Sequence, residues 1–158
     1  MADDIQLRDV VADDLPIFFE QQLDPAASAM AAFPSREREP FMAHWAKILR
    51  DDRGVKQTIL ADGRVAGNVV CYEQDGDRLV GYWLGRDFWG QGIATRALAL
   101  LLRQLPDRPL RAYVAKHNRG SIRVLEKCGF VITGEERSPA DEHGEGTEEW
   151  IMTLAGAP

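Results

Sequence analysis

The sequence predicts an α/β domain built on a mixed, mostly antiparallel sheet, and three observations carry that reading. Two Asp-Gly pairs, Asp62-Gly63 and Asp75-Gly76, separate apolar runs, which marks tight hairpins and therefore an antiparallel meander. A leucine-rich helical stretch then stands between two further strand-like runs, and such a crossover makes the second run parallel to the first. Finally, 158 residues with 45% hydrophobic content suffice to bury the core of about one domain. The expected unit is a single domain over residues 1–158, without internal repeats.

Each element follows from local pattern. Residues 5–10 alternate apolar and polar as a half-buried strand does. Asp13 or Asp14 caps a helix carrying Leu15, Ile17, Phe18, Phe19 and Leu23, which stops near Asp24-Pro25. Residues 25–36 show no period and read as a loop, and Phe41, Trp45, Ile48 and Leu49 place a second helix over 39–50. Strands at 55–60, 65–73 and 79–84 form the meander. The helix over 92–104 puts Ile93, Ala97, Leu98, Leu101, Leu102 and Leu105 largely on one side, with Pro106 just beyond its end, and 110–115 is the parallel strand. A short helix starts near Asn118 and Ser121, ends at a left-handed Gly129, and returns Phe130 onto Leu125. Residues 130–134 and 147–154 close the sheet, separated by an acidic, irregular loop over 135–146. The total is six or seven strands and about four helices.

Composition narrows the function. The net charge of −6 is uneven: residues 81–130 hold nine basic side chains against Asp87, Asp107 and Glu126, a surplus of +6, so the remainder totals −12. A basic middle suits a polyanionic ligand, and acidic flanks suit a cationic amine. A pI near 5.1 argues against nucleic-acid binding. No apolar run approaches the ~20 residues of a membrane span, and Met1-Ala2-Asp3-Asp4 is unlike a signal peptide, so a cytoplasmic protein is expected, as monomer or homodimer. Cys71 and Cys128 follow no metal or redox spacing and read as reduced thiols. His143 lies among Asp141, Glu142 and Glu145, but a solvated acidic loop explains that group better than a metal site, and no metal is expected.

The most informative segment is Phe88-Trp89-Gly90-Gln91-Gly92-Ile93-Ala94-Thr95. A turn that opens directly into a helix leaves backbone N–H groups without intrahelical partners, and the helix dipole adds partial positive charge there. Such a start binds phosphate. The segment is neither a Walker A loop nor a complete G-x-G-x-x-G, and no G-x-S-x-G nucleophile elbow occurs, so covalent catalysis has no candidate. The alternative for two glycines at this place is close packing of helix on sheet.

A second block, Asn118-Arg119-Gly120-Ser121-Ile122-Arg123-Val124-Leu125-Glu126-Lys127-Cys128-Gly129-Phe130, completes a pattern. Together the two blocks resemble the Gcn5-related N-acetyltransferase (GNAT) superfamily, and within it the ribosomal-protein alanine/serine N-acetyltransferase (RimJ/RimL)-like group, over roughly residues 55–137. The resemblance implies a GNAT sheet whose strands splay at an acetyl-coenzyme A (acetyl-CoA) site. It implies that the pyrophosphate rests on Trp89, Gly90, Gln91, Gly92, Ile93, Ala94 and Thr95, and that the pantetheine arm lies beside Tyr82, Trp83 and Leu84. Trp89 replaces the Gln or Arg usual in the superfamily, a variant frequent in this group. Asn118 matches a cofactor-contacting asparagine, and Ser121 a serine near the thiol that can protonate the departing thiolate. The alternative for both residues is a role as helix caps only.

The implied reaction is direct attack of an unprotonated amine on the thioester, with the oxyanion held by a backbone N–H. The glutamate that often precedes the strand glycine is absent, since Arg78, Leu79 and Val80 precede Gly81. Glu73 is the substitute base by location, with Glu148 and Glu149 as more distant candidates acting through water, and water alone as the other possibility. The expected acceptor is a protein N-terminal amine. A small amine such as an antibiotic or polyamine is the alternative, and from another class a degenerate domain that senses acyl-CoA.

Overall fold

A computed structural model of the chain describes residues 3–32, 35–137 and 146–156. Among these residues seven strands form one sheet: β1 (Ile5–Asp9), β2 (Val55–Ala61), β3 (Arg64–Gln74), β4 (Asp77–Leu84), β5 (Leu110–Ala115), β6 (Val131–Arg137) and β7 (Glu148–Leu154). Their order across the sheet is β1-β2-β3-β4-β5-β7-β6, antiparallel throughout except between β4 and β5. Both Asp-Gly hairpins form as expected. Asp62 and Gly63 have φ of 49° and 81°, and Asp75 and Gly76 of 52° and 85°, the doubly positive pair that matches the twist of the joined strands.

Among the described residues five α-helices flank the sheet, one more than the sequence suggested: α1 (Leu15–Gln22), α2 (Pro25–Ala31), α3 (Arg38–Arg50), α4 (Ile93–Gln104) and α5 (Arg119–Lys127). The additional one is α2, in the stretch read as a loop. Asp24-Pro25 is a helix start as well as a helix stop. The Asp24 carboxylate accepts from the Ala26 N–H at 2.9 Å, and Pro25 occupies the first turn, where its missing N–H costs nothing. A second correction concerns β6, which runs on to Arg137 through the residues assigned to the acidic loop. Asp141, Glu142, His143 and Glu145 lie outside the described residues.

Two apolar clusters sit on opposite faces of the sheet. Val69 faces α4 and α5, while its neighbour Val70 faces α1 and α3, as alternation along a strand requires. On the first face Ile93, Ala97, Leu98 and Leu101 of α4 are fully buried with Ile59, Leu110 and Met152. On the second, Phe18 packs on Trp45 at 5.2 Å between ring centroids and Phe19 on Phe41 at 5.5 Å.

The α1 side is tied to the sheet by Asp14, which is 2% exposed. Its carboxylate accepts from Arg8 at 2.7 and 2.8 Å, from Thr58 at 2.7 Å and from the Val11 N–H at 3.0 Å. Burial pushes this carboxyl up, and the bonds from Arg8, Thr58 and Val11 outweigh it, leaving a value of about 2. Cys71 and Cys128 are free thiols. No helix among the described residues is long and apolar enough to cross a membrane.

Candidate active site

The site begins with a defect in the sheet. β4 and β5 meet at a single pair, Leu79 opposite Arg111, although β4 continues to pair with β3 as far as Leu84. Beyond Leu79 no further pair joins the two parallel strands, and a cavity of about 510 Å3 opens beside the far end of β4. That volume falls within the range of small-molecule sites. Tyr82, Trp83 and Leu84 form its β4 wall, along an edge that β5 leaves free.

The floor is the loop ahead of α4. Gly90 and Gly92 adopt φ of 73° and 76°, a conformation glycine takes without strain, and nothing lies within 4 Å of where a Cβ would stand on either. Gly92 is the N-cap and offers no side chain, and the first intrahelical bond runs from Arg96 N–H to the Gly92 carbonyl at 3.2 Å. The N–H groups of Ile93, Ala94 and Thr95 are therefore left over by the helix itself, beside its positive end. Trp89 fixes the loop by donating its indole N–H to the Leu84 carbonyl at 2.9 Å.

The third wall is α5. Asn118 caps it by accepting from the Ser121 N–H at 3.2 Å, and Ser121 turns its hydroxyl to the Tyr82 hydroxyl, with which it shares a hydrogen bond. Burial pushes the Tyr82 phenol up to about 12, despite that bond. Arg123 and Lys127, one helical turn apart, carry positive charge along the same wall. Opposite lies α2, which contributes Ala27, Met30 and Ala31, and whose Ala29 carbonyl lies 2.9 Å from His117 Nε2.

Of the residues expected at the site, Tyr82, Trp83, Leu84, Trp89, Gly90, Gly92, Ile93, Ala94, Thr95, Asn118 and Ser121 line this one cavity. Gln91 is not among the lining residues, and its amide turns back to the Asp87 carbonyl at 3.1 Å. Glu73 also lies apart, on the hairpin end of β3, 3.7 Å from Arg78 and open to solvent. Glu148 is held by Arg137 at 3.2 Å. Glu149, on β7 opposite Ala115, is pushed up by burial and by neighbouring Glu136. The described lining residues include no carboxylate. Sequence reasoning missed Arg123 and Lys127, which their i, i+4 spacing on one helix face could have revealed. It did not single out Met30 and its neighbours as one face of a helix, for which the Asp-Pro cap was the available signal.

Residues 4–131 match the acetyltransferase (GNAT) domain family. This chain belongs to that family. It is 28% identical over 107 residues to Bacillus subtilis (strain 168) YdaF, provisionally named a ribosomal N-acetyltransferase, in a match covering 63% of this chain and 58% of YdaF. The GNAT chain thus spans less than two thirds of that relative's length. The similarity supports the RimJ/RimL-like grouping. Solved structures share the fold. Spermidine N-acetyltransferase from Vibrio cholerae, in complex with coenzyme A and spermine, superposes with a TM-score of 0.82 at 16% identity, covering 96% of this chain and 95% of its own. RimL, the ribosomal L7/L12 α-N-protein acetyltransferase with coenzyme A, gives 0.79 at 19% identity over 96% and 93%.

Proposed function

We propose that residues 1–158 act as one acetyl-CoA-dependent N-acetyltransferase domain whose acceptor is a primary amine, specifically a protein N-terminal amine, in the cytoplasm. The observation that carries this reading is the uncapped start of α4, opening through two positive-φ glycines onto a cavity flanked by Arg123 and Lys127. An anion with an extended arm fits that arrangement in both charge and shape, because N–H groups and cations converge at one end. The free edge of β4 supplies a run of backbone groups beside the other end.

The backbone of Trp89, Gly90, Gln91, Gly92, Ile93, Ala94 and Thr95 would hold the pyrophosphate, with Arg123 and Lys127 adding charge. Tyr82, Trp83 and Leu84 would orient the pantetheine arm, and Asn118 and Ser121 would stand at its reacting end. Acetyl-CoA supplies an acetyl group already activated as a thioester, so the protein needs no nucleophile of its own. What the chain must then do is orient, exclude water and stabilise charge at the sulfur and carbonyl oxygen. Ser121 is the hydroxyl available for the first task of charge, at Oγ. Glu73, engaged by Arg78 outside the cavity lining, is left out of this assignment, and the amine proton leaves through solvent.

A single assay tests the reading: thiol release from acetyl-CoA with peptides beginning Ala or Ser, spermidine, and an aminoglycoside. Peptide-selective turnover supports the N-terminal acceptor. Turnover on small amines alone replaces it with the polyamine or antibiotic alternative, and tight coenzyme A binding without turnover on any amine favours the sensor.

A further inference from the structure

The hydrogen bond between Tyr82 and Ser121 joins two walls of the cavity, the diverging end of β4 and the first turn of α5. We propose that Tyr82 is a positioning residue that donates its O–H to Ser121 Oγ, freeing the Ser121 proton to hydrogen-bond the sulfur of coenzyme A and stabilise it as thiolate. The inference rests on the proposed acetyl-CoA reading of the cavity.

The direction of the bond follows from satisfaction. The Tyr82 hydroxyl has no other protein partner among the described residues, and a desolvated O–H needs an acceptor. Ser121 Oγ offers two lone pairs and one proton, and its own N–H is already occupied by the Asn118 cap. With one lone pair filled by Tyr82, the remaining proton points into the cavity that both residues line. A phenol raised to about 12 stays protonated over the working range, so the donor is permanent.

The same value limits what the pair can do. A thiol ordinarily titrates near ~8.5, far below this phenol, so neither hydroxyl gives up its proton to the thiolate outright. The pair acts by hydrogen bonding, which stabilises the charged form of its partner. Atoms balance without consuming it: the amine nitrogen forms the C–N bond to the acetyl carbonyl carbon, the C–S bond breaks, sulfur keeps that electron pair, and the proton lost by the amine nitrogen returns to sulfur through solvent. Ser121 thus helps the sulfur leave instead of protonating it.

The test needs no amine. Coenzyme A is bound to the protein and its thiolate absorbance followed against pH in wild type, Tyr82→Phe, Ser121→Ala and the double variant. The bound thiol of wild type should titrate roughly one pH unit below free coenzyme A, a tenfold change in its acidity. Tyr82→Phe should return most of that shift, and should add nothing once Ser121 is Ala. In turnover, Tyr82→Phe should lower kcat about tenfold while the KM for acetyl-CoA stays within about twofold. An unshifted thiol in wild type, or equal effects of Tyr82→Phe with and without Ser121, overturns the positioning role while leaving the acetyltransferase reading intact. Failure to bind coenzyme A overturns both.

Discussion

The α4–α5 side of the cavity and the α2 side differ in what they are made of. On the first, backbone N–H groups at the start of α4, the bare N-cap Gly92 and the cations Arg123 and Lys127 converge. The second presents the apolar side chains of Ala27, Met30 and Ala31 from a seven-residue helix. A surface built from main-chain conformation tolerates few sequences, because only particular residues reach φ near +75° without strain. A surface built from small apolar side chains tolerates many. The α4–α5 wall, proposed to hold the acetyl donor, should therefore be rigid and general, and the α2 wall, left for the amine acceptor in the same proposal, adjustable.

The sharpest way to break that contrast is Gly92→Asp, which puts a carboxylate at the proposed pyrophosphate position on a residue with φ of 76°. Coenzyme A binding should weaken at least about 100-fold, near 3 kcal/mol, with the circular dichroism spectrum unchanged. Isothermal titration giving the wild-type Kd would remove the backbone seat from the donor side.

Next in size, Asp14→Ala attacks the anchor of α1 and should cost about 2–3 kcal/mol of unfolding free energy in urea, since it strands the Thr58 hydroxyl and the Val11 N–H. The folded carboxyl titrates at about 2, below its ordinary value. Its stabilisation is thus complete above the ordinary carboxylate range and drains away as pH falls from about 4 towards 2. In Asp14→Asn that acid-side slope should flatten, as read from Tm against pH. If the two sides are independent, the Kd for coenzyme A should stay put in both variants.

Smaller effects probe each side alone. Arg123→Ala should weaken coenzyme A binding by about 3- to 10-fold, and the difference should shrink as salt rises. Met30→Ala should change the KM for the amine about two- to fivefold while leaving the KM for acetyl-CoA alone, because Met30 belongs to the α2 wall of the cavity. Equal movement of both constants would show that the walls are not separable.

The same contrast explains what could be read before the structure. The hairpins at Asp62-Gly63 and Asp75-Gly76, the glycine loop ahead of α4 and the cap of α5 were legible, since each depends on residues with unusual backbone preferences. The helix α2 was not, because Pro-Ala-Ala-Ser-Ala-Met-Ala lacks apolar periodicity, and the Asp24-Pro25 signal has two meanings. Gln91 sits inside the motif yet bonds to the Asp87 carbonyl, a choice of rotamer that spacing does not encode. Glu73 was near the site in strand order but lies at the other end of a strand eleven residues long, beside Arg78.

The single rung at Leu79 and Arg111 has a mechanical consequence. The sheet is two leaves joined by one backbone rung and the Asp77–Arg111 ion pair beside it: β1 to β4 on one side, β5 to β7 on the other, each well laced within itself. Heat or force should open the seam before it frays either leaf. Whatever molecule lies along the free edge from Gly81 to Leu84 then becomes part of the binding of the leaves, and its arrival should register as slower amide exchange in β4 and β5, far from any atom that reacts.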